Sequence, residues 1–403
     1  MSSRAAARNH PSATPRGREP MGRRGSRRRR RTLAARRAAL TGRARRRRTV
    51  TCLSSRQRSG RTSSCDETAL DLTGDEETTI ARLNPHVREM TSDILYHLAL
   101  GSGSHDLHAM FGDVKFVCMG GTPRRMEQFA HFIMKEIGYQ LPTGAQLLDI
   151  SLHSYRYSMF KVGPVLSVSH GMGMPSVGIL LHEMIKLMYH ARVKNPTFFR
   201  LGTCGGIGID GGNLVITESA VDGLMNPYLE QAILGEIQKR PGLLDPELAA
   251  ELKALSTPED PWQIYSGKTM CTTDFYEGQG RLDGAFCDYT EEDKFDFLRK
   301  IHAEGIINME MESLMFAALC HHAGIRGAVI CVTLLNRMKG DQVTAEKSQQ
   351  MEWQEYPQRL VARYIRQQLE AADGVGSGAG GLIRSLSQLH LTRQTSEQFA
   401  SSE

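Results

Sequence analysis

No segment of the 403 residues holds the roughly eighteen consecutive apolar residues of a membrane span, and the N-terminus lacks the apolar block of a secretory signal. The eight cysteines include no CxxC pair and no Cys/His cluster at zinc-ligand spacing, so neither a structural zinc module nor a disulfide scaffold is expected. These absences point to a soluble protein of the reducing cytosol without a membrane partner. Lysine is missing from residues 1–61, which carry 21 arginines and one acid, Glu19, for a net charge of +20. With +6 overall, the remainder stands at −14, so the sequence pI of about 8.9 describes the leader rather than the body. Nucleic-acid binding by the body is accordingly disfavoured.

Residues 1–75 are expected to form a disordered Arg-rich leader, for they offer too little apolar surface to bury. A transit peptide or a nuclear or RNA-binding tail has a similar composition. Residues 372–403, opening on the glycine-rich run from Gly374, are expected to form a flexible tail. Between them lies a catalytic domain, residues 76–371, in which short β-rich runs alternate with amphipathic helical stretches. That alternation predicts an α/β fold around a mixed or largely parallel sheet. Strands are expected at Val114–Met119, Met159–Ser169, Thr197–Leu201, Leu214–Glu218, Ile306–Glu310 and Gly327–Leu334. Helices are expected at Met126–Ile137, Val177–Met188, Glu292–His302 and Leu314–His321, with a long C-terminal helix ending near Ala371.

In such sheets ligands gather where strands end. Gly120-Gly121-Thr122-Pro123-Arg124-Arg125 follows an expected strand and opens a helix, which makes either an anion site or an ordinary turn with surface arginines. Ser169-His170-Gly171-Met172-Gly173 lets a ligand approach the main chain, while His170 itself also suits a structural role. Arg200-Leu201-Gly202-Thr203-Cys204-Gly205-Gly206 is followed by a strand instead of a helix, which argues against a dinucleotide fingerprint. An arginine, a threonine hydroxyl and free glycine amides on one loop suit a single phosphate. In Asp274–Gly284, Gln279 and Arg281 stand two apart, so an extended segment would send both from one face to the edge of a uracil, with Phe275 stacking on it. An ordinary polar loop has the same composition. Glu310 and Glu312 are costly to bury unless they accept hydrogen bonds, either from a ribose diol or, for at least one of them, from a helix N-terminus.

Taken in order, these motifs, with Asp93-Ile94-Leu95-Tyr96-His97, Phe111–Cys118 and Val165–Gly173, resemble the uridine phosphorylases of animals, within the nucleoside phosphorylase and nucleosidase superfamily, over residues 83–371. The resemblance implies a three-layer α/β/α domain with a mixed central sheet, acting as a homodimer with active sites shared across the interface. Its substrates would be uridine and inorganic phosphate, with no cofactor or metal. Phosphate would lie among Gly121, Arg125, Arg200, Gly202 and Thr203, with Arg156 from the other subunit. Ribose would meet His97, Met311 and Glu312, and the base Cys204, Gly205, Phe275, Gln279 and Arg281. Arg281, Gln279 and Arg200 would carry the chemistry. Two positions depart from the family: Cys204 replaces the serine of Gly-Thr-Ser-Gly-Gly, expected to reduce activity without abolishing it, and Tyr155 replaces an aspartate, expected to disturb Arg156. The rival readings are a purine-specific relative, against which Asn336 stands where an aspartate would be expected, and an RNA-binding or regulatory protein using the leader.

Overall fold

The computed structural model describes residues 84–376. The leader assigned to residues 1–75 lies outside them, as does the tail assigned to 372–403 from residue 377 onward. Eight strands form the main sheet: β1 (Phe116–Gly120), β2 (Met159–Val162), β3 (Val165–Ser169), β4 (Thr197–Gly206), β5 (Leu214–Val221), β6 (Ile264–Cys271), β7 (Ile306–Glu310) and β8 (Arg326–Asn336). Their spatial order is β7-β6-β5-β8-β4-β1-β3-β2. The pairs β5–β8 and β2–β3 are antiparallel and the other neighbours parallel, so the sheet is mixed. β7 also meets the far end of β4 antiparallel, Asn308 opposite Gly206 and Met309 opposite Gly205, which curls this side of the sheet closed.

Alternation along the strands makes the layers. In β1, Val117 and Met119 join one apolar cluster while Phe116 and Cys118 join another on the opposite face. Helix α1 (Pro123–Glu136) covers the second face with Met126, Phe129, Ala130 and Ile133. Helix α2 (Met174–His190) covers the first with Val177, Leu180, Leu181, Met184, Leu187 and Met188. Besides the short helices Pro85–Glu89 and Leu107–Phe111, there follow α3 (Pro246–Ala254), α4 (Glu291–Ala303), α5 (Ser313–Ala323), α6 (Lys347–Trp353) and α7 (Tyr356–Gly376). α5 shares the α2 side through Phe316, Leu319 and Cys320, and α3 and α7 share the α1 side through Leu248, Leu252, Leu360 and Val361. The result is the expected α/β/α arrangement.

Several expected boundaries move. Met159–Ser169 is two strands, because Gly163 at φ +52° and Pro164 turn the chain back on itself. β4 runs on to Gly206, so the expected phosphate loop is strand, held by β8 on one side and β7 on the other. α7 reaches Gly376 instead of ending near Ala371. β6, α3 and the hairpin Tyr228–Ile233/Glu236–Pro241 had no expectation at all. Among the described residues, no helix is long and apolar enough to cross a membrane.

Candidate active site

β3, β1 and β4 are adjacent and parallel, with Gly120 level with both Ser169 and Leu201. Their register brings Gly121, the His170-Gly171 turn and Arg200–Gly202 to one place. Thr122 caps α1 by accepting from the Arg125 amide at 3.3 Å, with Pro123 in the first turn, and this sets where Arg125 emerges. Arg125 Nη2 donates to Gln354 Oε1 at 2.5 Å. A Cβ built on Gly121 would lie 3.8 Å from Arg125 Nη1 and 3.6 Å from the Gly171 carbonyl, so the first two glycine motifs touch.

Arg200 is 2% exposed. Its Nη2 donates to Glu312 Oε2 and lies 2.9 Å from Glu310 Oε2, while Nη1 donates to Cys331 Sγ at 3.1 Å. Burial works to lower the Arg200 pKa, and the two carboxylates outweigh it and hold the guanidinium charged. Gly202 is obligatory here, since a Cβ would stand 2.5 Å from Arg200 Nη1 and 2.8 Å from Cys331 Sγ. Glu312 Oε1 accepts from the Gly173 amide at 2.6 Å; burial pushes its pKa up, and Arg200, with the Gly173 amide, more than offsets this. Glu310 is raised by burial against the pull of Arg200. It accepts from the amides of Glu312 and Ser313, each at 2.9 Å, and from the Ser313 hydroxyl. Glu310 is therefore the helix N-terminal carboxylate of the pair, and Glu312 is the one left facing a partner that can be exchanged.

The base-loop residues meet differently from the expectation. Glu277–Gln279 is a 3₁₀ turn and Gly280 is left-handed at φ +61°, so Gln279 and Arg281 do not share a face by extended spacing. Gln279 Nε2 donates to Thr272 Oγ1 at 3.1 Å, and the Arg281 guanidinium carbon lies 4.4 Å from the Phe275 ring centroid. Arg281 also forks onto Asp283, with both bonds at 2.8 Å, and donates to the Asp341 carbonyl at 2.6 Å.

Beneath this loop lies a buried charge cluster that sequence reasoning missed. Arg337 is fully buried; it donates from Nε to Asp341 Oδ1 at 3.0 Å and from Nη2 to the Gln279 carbonyl at 2.9 Å. Asp341 also takes Lys294 Nζ at 2.9 Å and accepts from the Leu282 amide at 2.9 Å. Burial raises the Asp341 pKa, but the Leu282 amide, Lys294 and Arg337 together hold it below the usual carboxylate range. A Cβ on Gly205 would come within 3.0 Å of Arg337 Cγ, so the glycine strand packs directly on this clamp. No spacing in the sequence announces a cluster drawn from positions 279, 294, 337 and 341.

Cys204 is buried beside Cys331 and Asn308, with its thiol raised first by burial. Thr203 and Met311 are partly exposed. Asn336 is engaged elsewhere, donating to Asp210 Oδ1 at 2.9 Å and accepting from the Gly208 amide at 3.2 Å. Two site residues lie outside the cluster. His97 accepts or donates at Nδ1 to Glu183 Oε1 at 2.7 Å, its ring 6.3 Å from that of Tyr157, and Arg156 is exposed with no carboxylate on it among the described residues. Tyr155 is left-handed at φ +56° with its ring 88% exposed, so its cost lies in the backbone and not in crowding of Arg156.

The model of the phosphorylase superfamily matches residues 115–366. The chain is 50% identical to uridine phosphorylase 1 of Mus musculus over 289 residues, covering 72% of this chain and 93% of that protein. It is 49% identical to uridine phosphorylase 2 of Homo sapiens over 290 residues, covering 72% and 91%. A crystal structure of uridine phosphorylase from Schistosoma mansoni in complex with thymidine superposes with a TM-score of 0.69 at 36% identity, covering 72% of this chain and 98% of that one. Motif order, mixed sheet and sequence identity agree, and the chain belongs to the uridine phosphorylases of the phosphorylase superfamily.

Proposed function

We propose that this chain catalyses the reversible phosphorolysis of uridine to uracil and α-ribose 1-phosphate, in pyrimidine nucleoside salvage and catabolism. The observation that carries this reading is the position of Arg200, whose one guanidinium joins the Gly202 strand to Glu312. Phosphate and ribose must lie that close for a phosphate oxygen to reach the anomeric carbon.

Glu312 is the anionic partner of Arg200. Phosphate would take over Arg200, together with Arg125, the Gly121 and Gly202 backbone and Thr203, and would free Glu312 and Met311 for the ribose. The phosphate oxygen attacks the anomeric carbon as the bond to N1 of the base breaks, and the sugar gains oxocarbenium character. Gln279 and Arg281 stabilise the charge growing on uracil, Phe275 stacks on the ring, and Cys204 and Gly205 floor the pocket. Phosphate is itself the nucleophile, so this chemistry calls on no protein nucleophile, cofactor or metal. Attack opposite the base inverts the anomeric centre.

Catalysis would reside in residues 76–371, in the cytosol, with the site completed in a homodimer. The partner subunit's Arg156 would reach the phosphate and the partner subunit's His97 the ribose 5′-hydroxyl. Near them in the chain, Tyr96 is 73% exposed and Leu152 61%, apolar surface that a subunit interface would cover.

Uracil release by the purified protein, with and without phosphate and with inosine in parallel, tests the reading. Phosphate-dependent release from uridine with little action on inosine supports it. Cleavage of inosine alone would move the chain to the purine-specific relatives.

A further inference from the structure

His170 has no role in the chemistry just described, yet it is buried at the centre of the site at 1% exposure. Its backbone is fixed on both sides: the amide donates to the Gly120 carbonyl at 2.7 Å, and the Ser176 hydroxyl donates to its carbonyl at 2.6 Å. Ring Nδ1 lies 3.0 Å from the Gly171 carbonyl. A carbonyl only accepts, so Nδ1 carries the hydrogen and Nε2 presents a bare lone pair. Nε2 is buried with no hydrogen-bond partner. Burial first, and then Arg200, push the ring's pKa down to about 3, with Arg125 acting in the same sense and Glu312 and the Gly171 bond against it. The imidazole is neutral at any pH at which the enzyme would work.

A lone pair within electrostatic reach of the Arg200 and Arg125 guanidinium groups is an unexpected fitting for an anion pocket, because the oxygens of an oxyanion are acceptors too. It becomes a good fitting when one oxygen carries a hydrogen. Hydrogen phosphate has such a P–O–H group near neutral pH and sulfate has none.

We infer that His170 Nε2 accepts the hydrogen bond of the P–O–H group of hydrogen phosphate, and that His170 is a specificity-determining residue separating phosphate from unprotonated tetrahedral dianions such as sulfate. The inference rests on the reading of this pocket as the phosphate site. No proton is transferred; turning the hydroxyl toward His170 leaves the unprotonated oxygens for the two arginines and the anomeric carbon.

The test is steady-state phosphorolysis of uridine by the full chain, measuring KM for phosphate, KM for uridine and the inhibition constant of sulfate. His170→Phe keeps a flat ring without the acceptor and should raise KM for phosphate about ten- to a hundredfold, the worth of a hydrogen bond to a charged group. Sulfate inhibition and KM for uridine should each move less than about threefold, so the preference for phosphate over sulfate collapses. His170→Gln, which can place an amide oxygen near the Nε2 position, should recover most of the loss. A folded His170→Phe protein with unchanged KM for phosphate overturns the inference and leaves the phosphorolysis reading standing. A rise in KM for uridine alone would also overturn it, by making a ribose hydroxyl the donor. If wild-type cleavage does not require phosphate, both readings fall together. Should the phenylalanine variant not fold, the His170 Nε2 resonance of ¹⁵N-histidine-labelled wild type decides: it should shift on titration with phosphate and stay in place with sulfate, and equal shifts with both refute the inference.

Discussion

At φ +56°, Tyr155 places a bulky side chain in the left-handed region, where an L-residue other than asparagine or aspartate is strained by about 1–2 kcal/mol. An aspartate, expected here from the family resemblance, would be tolerated in that region because a short polar side chain can bond locally. Tyr155→Asn should therefore raise stability by about 1 kcal/mol, and Tyr155→Val should lower it by a similar amount. Calorimetric melting would show the first as a gain of about 2–4 °C; no gain, or a loss, would mean that the ring contributes contacts the exposed conformation does not reveal. Cys204 poses a related problem. Asn308 Nδ2 is buried with no well-formed hydrogen bond, and the neighbouring Cys204 thiol is a poor acceptor for it. Cys204→Ser offers a hydroxyl oxygen in its place and should stabilise by about 1 kcal/mol in urea unfolding, with kcat/KM for uridine rising about twofold or more. The sequence marked both positions as departures but located their cost in the guanidinium and the thiol. The strain and the poorly satisfied amide belong to φ angles and neighbours that no one-dimensional pattern displays.

The elements that were legible are those whose apolar period is strong. β7 fell where Ile306–Glu310 was expected, and α1, α2, α4 and α5 differ from expectation by a few residues at their ends, where caps rather than hydrophobicity decide. Glycine weakens strand propensity, so the glycine-rich segment reads as a loop in one dimension; pairing with β8 and β7 overrides that local preference. The sequence locates the base loop but not its conformation, because its shape comes from below, through Arg337, Asp341 and Lys294. Lys294→Met, which leaves Arg337 on Asp341, should loosen the loop and raise KM for uridine about tenfold while KM for phosphate stays within about twofold. Equal changes in both constants would reduce the cluster to a general stabiliser. The sign with pH is also fixed. Asp341 has its folded pKa depressed, so the stability it contributes is fully present above the ordinary value of 3.8 and is lost as pH falls through the lower folded value. The stability gap between wild type and Asp341→Asn should be constant above about pH 5 and close below about pH 4, as acid unfolding monitored at each pH would register.

At the scale of the molecule, the proposed dimer makes a prediction of its own. Arg125, Arg200 and Glu312 all act on His170, whereas His97 is held on Glu183 and Arg156 is exposed. If the proposed dimer brings them to the neighbouring site, loss of function can be complemented. Arg156→Ala inactivates the site of the opposite subunit and Arg281→Ala the site of its own. Each homodimer then has two damaged sites, but a mixed dimer collects both lesions in one site and leaves the other intact. Random reassociation of equal amounts makes half the dimers mixed, so activity should return to about a quarter of wild type from two nearly inactive parents. Reversible denaturation and joint refolding, followed by the uridine assay, would measure this. Activity that stays at the sum of the two parents would mean that each chain carries its own Arg156 to its own phosphate, and would require the segment around Tyr155 to fold inward toward Arg200.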